Sequence, residues 1–182
     1  QKAGFVAEGD AILAALPIGI VNVVFTVVAL FLIDKWGRKP LLYLGLAGMA
    51  VALCVLGFSF LFHDTAGESL KWLSLGSMII YIPFFALTLG PVGYVIMSEV
   101  FPTRVRGLGM SVSLFFNWVA NFVVANTFLS LASALTAEGN QITITGEPGP
   151  NPGGAFLVYA IIAIIGVIFV SRMVPETKGH SL

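Results

Sequence analysis

Charge is scarce in this chain. Lys and Arg supply nine residues and Asp and Glu another nine, so 10% of the 182 residues are charged, against roughly 25% in average globular usage. The two signs cancel to a net charge of zero, which offers nothing to a nucleic acid. Cysteine occurs once, as Cys54, so neither an intrachain disulfide nor a thiolate metal cluster is available within the chain. A lone Cys in an apolar run is a small filler. Histidine occurs twice, as His63 and His180, which fall on opposite faces of the topology derived below. No acidic residue sits in the middle of an apolar run. Hydrolysis needs a nucleophile with a base, or metal ligands. An enzyme is therefore not expected, nor is a metal or cofactor.

Apolar residues fill the space instead. They make up 58% of the chain and gather into five runs, at about 11–33, 41–62, 72–97, 108–135 and 155–174. Runs of 18 or so apolar residues read as membrane spans rather than core helices. The first is too long for a signal-peptide core and follows Glu8 and Asp10, not a basic segment. Seven of the nine basic residues fall on one side: Lys35, Arg38, Lys39, Arg104, Arg106, Arg172 and Lys178. Lys2 and Lys71 fall on the other. The positive-inside rule puts the amino end outside and the carboxyl end in the cytoplasm. Five spans from an outside start at Gln1 suggest a piece of a longer polytopic protein whose upstream helices are missing. The longest connection, 136–154, holds five Gly and three Pro and reads as a flexible outer loop, in which Ile142–Thr145 alternates like a short strand.

Polar groups at membrane depth usually have a partner or a task. Gly19, Asn22 and Thr26 share a helix face in the first run. Ser113, Asn117 and Asn121 form a stripe in the fourth, with Trp118 beside it. An amide both donates and accepts, as a neutral polyhydroxylated ligand does. The rings of Trp118 and Tyr94 suit the apolar face of such a ligand. The competing reading of the Asn stripes is helix–helix glue, at roughly 0.6–2 kcal/mol per bond.

The third run carries Pro83, Gly90, Pro91 and Gly93. Each Pro strips the N–H partner from the carbonyl four residues back, at Ile79 and Leu87. A double break leading into a charged inner loop suggests a gating helix rather than a passive kink. Asp34 and Arg38 close the first run, and Glu99 and Arg106 close the third. Paired across the inner rim they would form a latch, made in one conformation and broken in another. Lys35 and Lys39 read as ordinary positive-inside charges.

Four motifs make a family resemblance. Asp34-Lys35-Trp36-Gly37-Arg38-Lys39 resembles the inner-loop motif of the sugar porters of the major facilitator superfamily. Ser98-Glu99-Val100-Phe101-Pro102-Thr103-Arg104-Val105-Arg106-Gly107 resembles their Ser-Glu-x-Phe-Pro-x-x-x-Arg-Gly motif. Pro175-Glu176-Thr177-Lys178-Gly179 is similar to their signature past the last helix. Asn117-Trp118 with Asn121-Phe122 is similar to their eleventh helix.

The resemblance implies an all-α membrane protein, with the five spans as helices eight to twelve of a twelve-helix carrier. That is a carboxyl-terminal bundle without its first helix, facing a missing amino-terminal half across the sugar. It implies sugar contacts at Asn22, Tyr94, Asn117 and Trp118, with Asn121 on the same stripe. Tyr94 stands where many members have Trp. It implies an inner charge network of Asp34, Arg38, Glu99, Arg106 and Glu176, held closed in the outward-facing state. The expected activity is transport of a hexose or pentose by alternating access, as a proton symport, in the plasma or inner membrane. A carrier of another neutral or organic solute and a non-transporting sugar sensor are the alternatives. The expected partners are a small sugar, the bilayer and the missing half.

Overall fold

The computed structural model describes residues 3–136, 141–144 and 147–174, with side chains described for most of these from Gly19 onward. In chain order the elements are α1 (Ala3–Trp36), α2 (Arg38–Leu61), α3 (His63–Leu87), α4 (Leu89–Val100), α5 (Arg106–Leu135), β1 (Ile142–Ile144), β2 (Glu147–Gly149) and α6 (Gly153–Met173). Five stretches are long and apolar enough to cross a bilayer, the third made jointly by α3 and α4. Even α6, with 21 residues, spans about 32 Å at 1.5 Å per residue, enough for a hydrocarbon core of roughly 30 Å.

One residue separates α1 from α2. Gly37 adopts φ 94°, a conformation that disfavours any side chain. Its N–H donates to the Ile33 carbonyl at 3.1 Å and so closes α1. The reversal leaves Arg38 as the first residue of α2, at the rim richer in basic residues, termed inner for that reason and the opposite rim outer.

Helix α2 is the post of the bundle. Helices α3 and α6 pack along it, and α1 and α4 touch it. Leu41, Leu42, Leu46 and Met49 are buried on α2 and cluster with Ile33 of α1, Val92 of α4 and Val170 of α6. Lipid tails are as apolar as these side chains, so close packing must hold the helices together. Small residues allow it. A Cβ on Gly153 would sit 2.8 Å from the Gly57 carbonyl, where α2 and α6 cross.

The third span breaks once, not twice. Pro83 lies inside α3 without ending it. The interruption is at Thr88 (φ −129°, ψ −84°), and α4 restarts at Leu89. Pro91 is therefore the third residue of a new helix, where a backbone N–H has no intrahelical acceptor to lose. Thr88 is fully buried, its hydroxyl donating to the Phe84 carbonyl and its own carbonyl accepting from Val92 at 2.9 Å. The break rests on α2: a Cβ on Gly45 would overlap the Thr88 side chain, and one on Gly48 the Phe84 ring.

In the outer loop β1 pairs antiparallel with β2, in the register Ile142↔Gly149, Thr143↔Pro148 and Ile144↔Glu147. The alternation of Ile142–Ile144 marks the first strand. The second is hidden by Glu147-Pro148-Gly149, which Pro tolerates because both strands are edges. Far from loose at its end, the connection finishes at Asn151, which is 1% exposed.

The seat under Thr88 makes a testable demand. Gly45→Ala should lower the thermal midpoint of the purified protein, since overpacking a close contact typically costs about 1–3 kcal/mol. Gly76→Ala, whose Cβ would meet nothing within 4 Å, should leave it unchanged. Equal midpoints for both variants would reject the seat.

Candidate functional site

At the inner rim the Gly37 turn carries Arg38 to Glu99, the penultimate residue of α4. The guanidinium takes both carboxylate oxygens, Nε to Oε2 at 3.2 Å and Nη2 to Oε1 at 2.7 Å. The two side chains are 14% and 28% exposed, so this pair is better shielded than an ordinary surface bridge. Nη1 also donates to the Ile33 carbonyl at the end of α1, at 3.4 Å. Asp34 is peripheral: it lies 3.9 Å from Nη2 and is 83% exposed. Arg106 donates through Nε to the Phe101 carbonyl at 3.3 Å, bracing the turn before α5. Among the described residues no ion pair joins Arg106 to Glu99. Glu176 and the rest of the Pro175–Gly179 motif lie outside the described residues. Lys39 has more than a topological role. Its Nζ donates to the Ser171 carbonyl at 3.0 Å, in the last turn of α6, where a cation also complements the helix dipole. Residues 38 and 39 thus tie the inner ends of α1, α2, α4 and α6.

The amide stripe lies on α5. Asn121 donates through Nδ2 to the Asn117 carbonyl at 2.9 Å and to its Oδ1 at 3.1 Å. That bond orients the pair and leaves Asn117 Nδ2 and Asn121 Oδ1 open among the described residues, one donor and one acceptor. Trp118 is 68% exposed beside them. Ser113, on the same stripe, gives its hydroxyl proton to the Gly109 carbonyl of its own helix at 2.9 Å and keeps only acceptor capacity. No residue of α5 between positions 111 and 127 is buried, so this face is uncovered by the rest of the chain.

The other proposed contacts stand apart from that trio. Asn22 is half-buried on α1, with its carbonyl accepting the Thr26 hydroxyl at 2.8 Å. Helices α1 and α5 do not touch. Tyr94 is 45% exposed on α4, nearly two turns beyond the break. Pro83, Gly90, Pro91 and Gly93 are half-buried around it. The larger concavities are elsewhere. A cavity of about 600 Å³ lies among α2, α3, α5 and α6, lined by Leu46, Met49, Tyr81, Val124, Phe128 and Tyr159. Its wall is mostly apolar, with Ser77, Tyr81 and Tyr159 as the hydroxyl-bearing residues of the lining, and suits hydrocarbon better than a sugar's many hydroxyls.

Sequence reasoning missed Asn151. Its Nδ2 donates to the Phe60 carbonyl at 2.7 Å, and its Oδ1 accepts the Gly153 N–H at 2.9 Å. Its backbone N–H donates to the Thr136 hydroxyl at 2.8 Å. The available signal was an Asn two residues before a helix that opens Gly-Gly, the spacing of an Asx turn.

Long apolar helices, one of them interrupted at membrane depth, make this an integral, multi-pass membrane protein with the architecture of a transporter. The Sugar (and other) transporter family matches residues 1–182, and the chain belongs to that family. It is 38% identical, over its full length, to 35% of the glucose facilitated diffusion protein of Zymomonas mobilis. It is 34% identical, again over its full length, to 32% of the facilitated trehalose transporter Tret1 of Culex quinquefasciatus. Among solved structures it resembles the major facilitator superfamily proton:xylose symporter XylE bound to 6-bromo-6-deoxy-D-glucose. There the TM-score is 0.78 at 33% identity, over 96% of this chain and 34% of that one. The fold is that of a major facilitator, and the chain spans about a third of the length of the relatives it matches.

A double-mutant cycle tests the inner clasp. Arg38→Ala and Glu99→Ala should couple in thermal unfolding by about 1.5–3 kcal/mol, above the roughly 0.2–1 kcal/mol of exposed pairs. Coupling near zero would mean that the pair is not held in solution.

Proposed function

We propose that this chain is the carboxyl-terminal transmembrane bundle, without its first helix, of a carrier that moves a monosaccharide, a hexose or pentose, by alternating access. The observation that carries the reading is the uncovered α5 face, where Asn117 and Asn121 keep one donor and one acceptor open beside the exposed Trp118 ring. A sugar offers hydroxyls to the amides and an apolar C–H face to the indole. Asn22 and Tyr94 join that face when the remaining helices gather around the ligand. Arg38 and Glu99, with Asp34, Arg106 and Glu176 around them, act as the cytoplasmic latch. The amino end of the chain faces outward and the carboxyl end the cytoplasm, in the plasma or inner membrane.

Proton symport is the coupling that we favour, in line with the xylose symporter relative. The described spans hold no Asp or Glu away from helix ends, so the titrating group would lie in other helices of the carrier. The alternative is a facilitated carrier of a larger or different neutral solute. It is favoured by the relatives named for facilitated diffusion of glucose and for trehalose, a disaccharide.

The tests use the intact carrier in proteoliposomes. Asn117→Ala should weaken sugar binding roughly 3–10-fold, the equivalent of one hydrogen bond of about 0.5–1.5 kcal/mol, with the yield of folded protein kept. Unchanged affinity would remove Asn117 from the site. Glu99→Ala and Arg106→Ala should slow sugar counterflow several-fold with affinity little changed. Normal counterflow in both would reject the latch. Alkalinisation of the outer medium on adding sugar would support symport, and its absence during active uptake would favour the facilitated carrier.

A further inference from the structure

Helix α5 is held at its ends and free in its middle. At the inner end the Phe101 ring fills the space beside Gly109, where a Cβ would sit 2.6 Å from it. At the outer end Phe128 meets the rings of Phe156 and Tyr159 on α6, and Leu135 packs on Gly154. Between these, residues 111–127 are exposed except for the half-buried Ser113 and Leu114. Among the described residues, the hydrogen bonds from the α5 segment to α2 or α6 all pass through one point. The Thr136 hydroxyl caps α5 by donating to the Ala132 carbonyl at 2.7 Å and accepts the Asn151 N–H at 2.8 Å. The Asn151 side chain then reaches the Phe60 carbonyl near the end of α2 and the Gly153 N–H at the start of α6. One nearly fully buried amide therefore links the outer ends of three helices.

We infer that Asn151 and Thr136 form the outer pivot of α5 and are positioning residues for its ligand face. Neither touches the stripe. Asn121 lies fifteen residues before Thr136, which is about 22 Å along the helix. A tilt of about 10° at the pivot would move Asn121 by about 4 Å, more than a hydrogen bond tolerates. Apolar contacts with Phe128 and Leu135 permit sliding, because they have no preferred direction. The clasp supplies the direction. It fixes the outer end so that α5 swings as a rod of one hand, and the amides at its middle return to one place. Its consequence for ligand binding rests on the reading of the α5 face as a sugar contact.

The experiment separates the two ideas. In the intact carrier with Cys54→Ala, spin labels at Phe58→Cys on α2 and Leu129→Cys on α5 report the outer-end separation, and sugar affinity is measured per folded molecule on the same variants without labels. At nearly constant shape, Thr136→Val removes both bonds of that hydroxyl, and Asn151→Asp replaces the donor to the Phe60 carbonyl with a carboxylate oxygen. Both should broaden or shift the distance distribution by several Å and weaken sugar binding at least fivefold, while Thr136→Ser restores both values. An unchanged distribution overturns the pivot, whatever the affinity does. A broadened distribution with unchanged affinity overturns the positioning role, provided that Asn117→Ala weakens binding. If Asn117→Ala binds normally, the ligand reading of α5 fails by itself, and the distance measurement alone decides the pivot.

Discussion

Hydrocarbon supplies no hydrogen bonds, so a helix can break inside a bilayer only where the protein itself covers the gap. The interruption at Thr88 meets that condition on α2. Two missing side chains, at Gly45 and Gly48, let Thr88 and Phe84 approach closely, and the Thr88 hydroxyl answers a local carbonyl. The seat fixes much else. It makes α2 the helix that must be buried, and α2 accordingly carries the core residues that α1, α4 and α6 meet. It also sets where α4 starts, and therefore how far Glu99 stands from the inner end of α2.

The same helix is clasped at both ends, by different chemistry. At the inner end a guanidinium and a carboxylate pair, with exposures of 14% and 28%. A charge pair of that kind is strong when closed, and parting it costs least where water can reach both groups. At the outer end the link is a neutral amide that is 1% exposed. Its parting would leave buried donors and acceptors without partners, at about 1–3 kcal/mol each. The two rims are thus tied by different chemistry, ionic at one and neutral at the other.

Much of this was legible in the residues, for reasons that can be named. Run lengths mark spans because the bilayer sets a minimum, and the motif around Gly37 marks a sharp reversal because few other residues take φ 94°. Arg38 with Glu99 was foreseeable from charge and position. The break was misjudged because Pro83 and Pro91 look alike in sequence. Only the site of the restart tells a Pro within a continuing helix from one in a new first turn, and that site is decided by the tertiary seat on α2. Asp34 and Arg106 stand at the margin of the Arg38–Glu99 pair, one 3.9 Å from Arg38 Nη2 and the other bonded to the Phe101 carbonyl, since nearness to a loop does not give a side chain direction. Lys39 and Asn151 were under-read because their acceptors, Ser171 and Phe60, lie 132 and 91 residues away. A carbonyl as a partner leaves no trace in side-chain identity.

The apolar cavity among α2, α3, α5 and α6 and the polar stripe on α5 divide the chain's open surface into two kinds. The stripe joins donors, acceptors and an indole within two helical turns. The cavity offers a volume of about 600 Å³, with only Ser77, Tyr81 and Tyr159 among its lining to meet a hydroxyl. Size alone would choose the cavity, whereas desolvation reverses the choice. Each sugar hydroxyl left without a partner in apolar surroundings costs about 1–3 kcal/mol on mutational scales, and a sugar carries several. The Asn117–Asn121 bond adds to the contrast. It fixes both amides before any ligand arrives, so less side-chain entropy is lost on binding. A loosely held pair of asparagines would donate and accept in many directions; this pair does so in few.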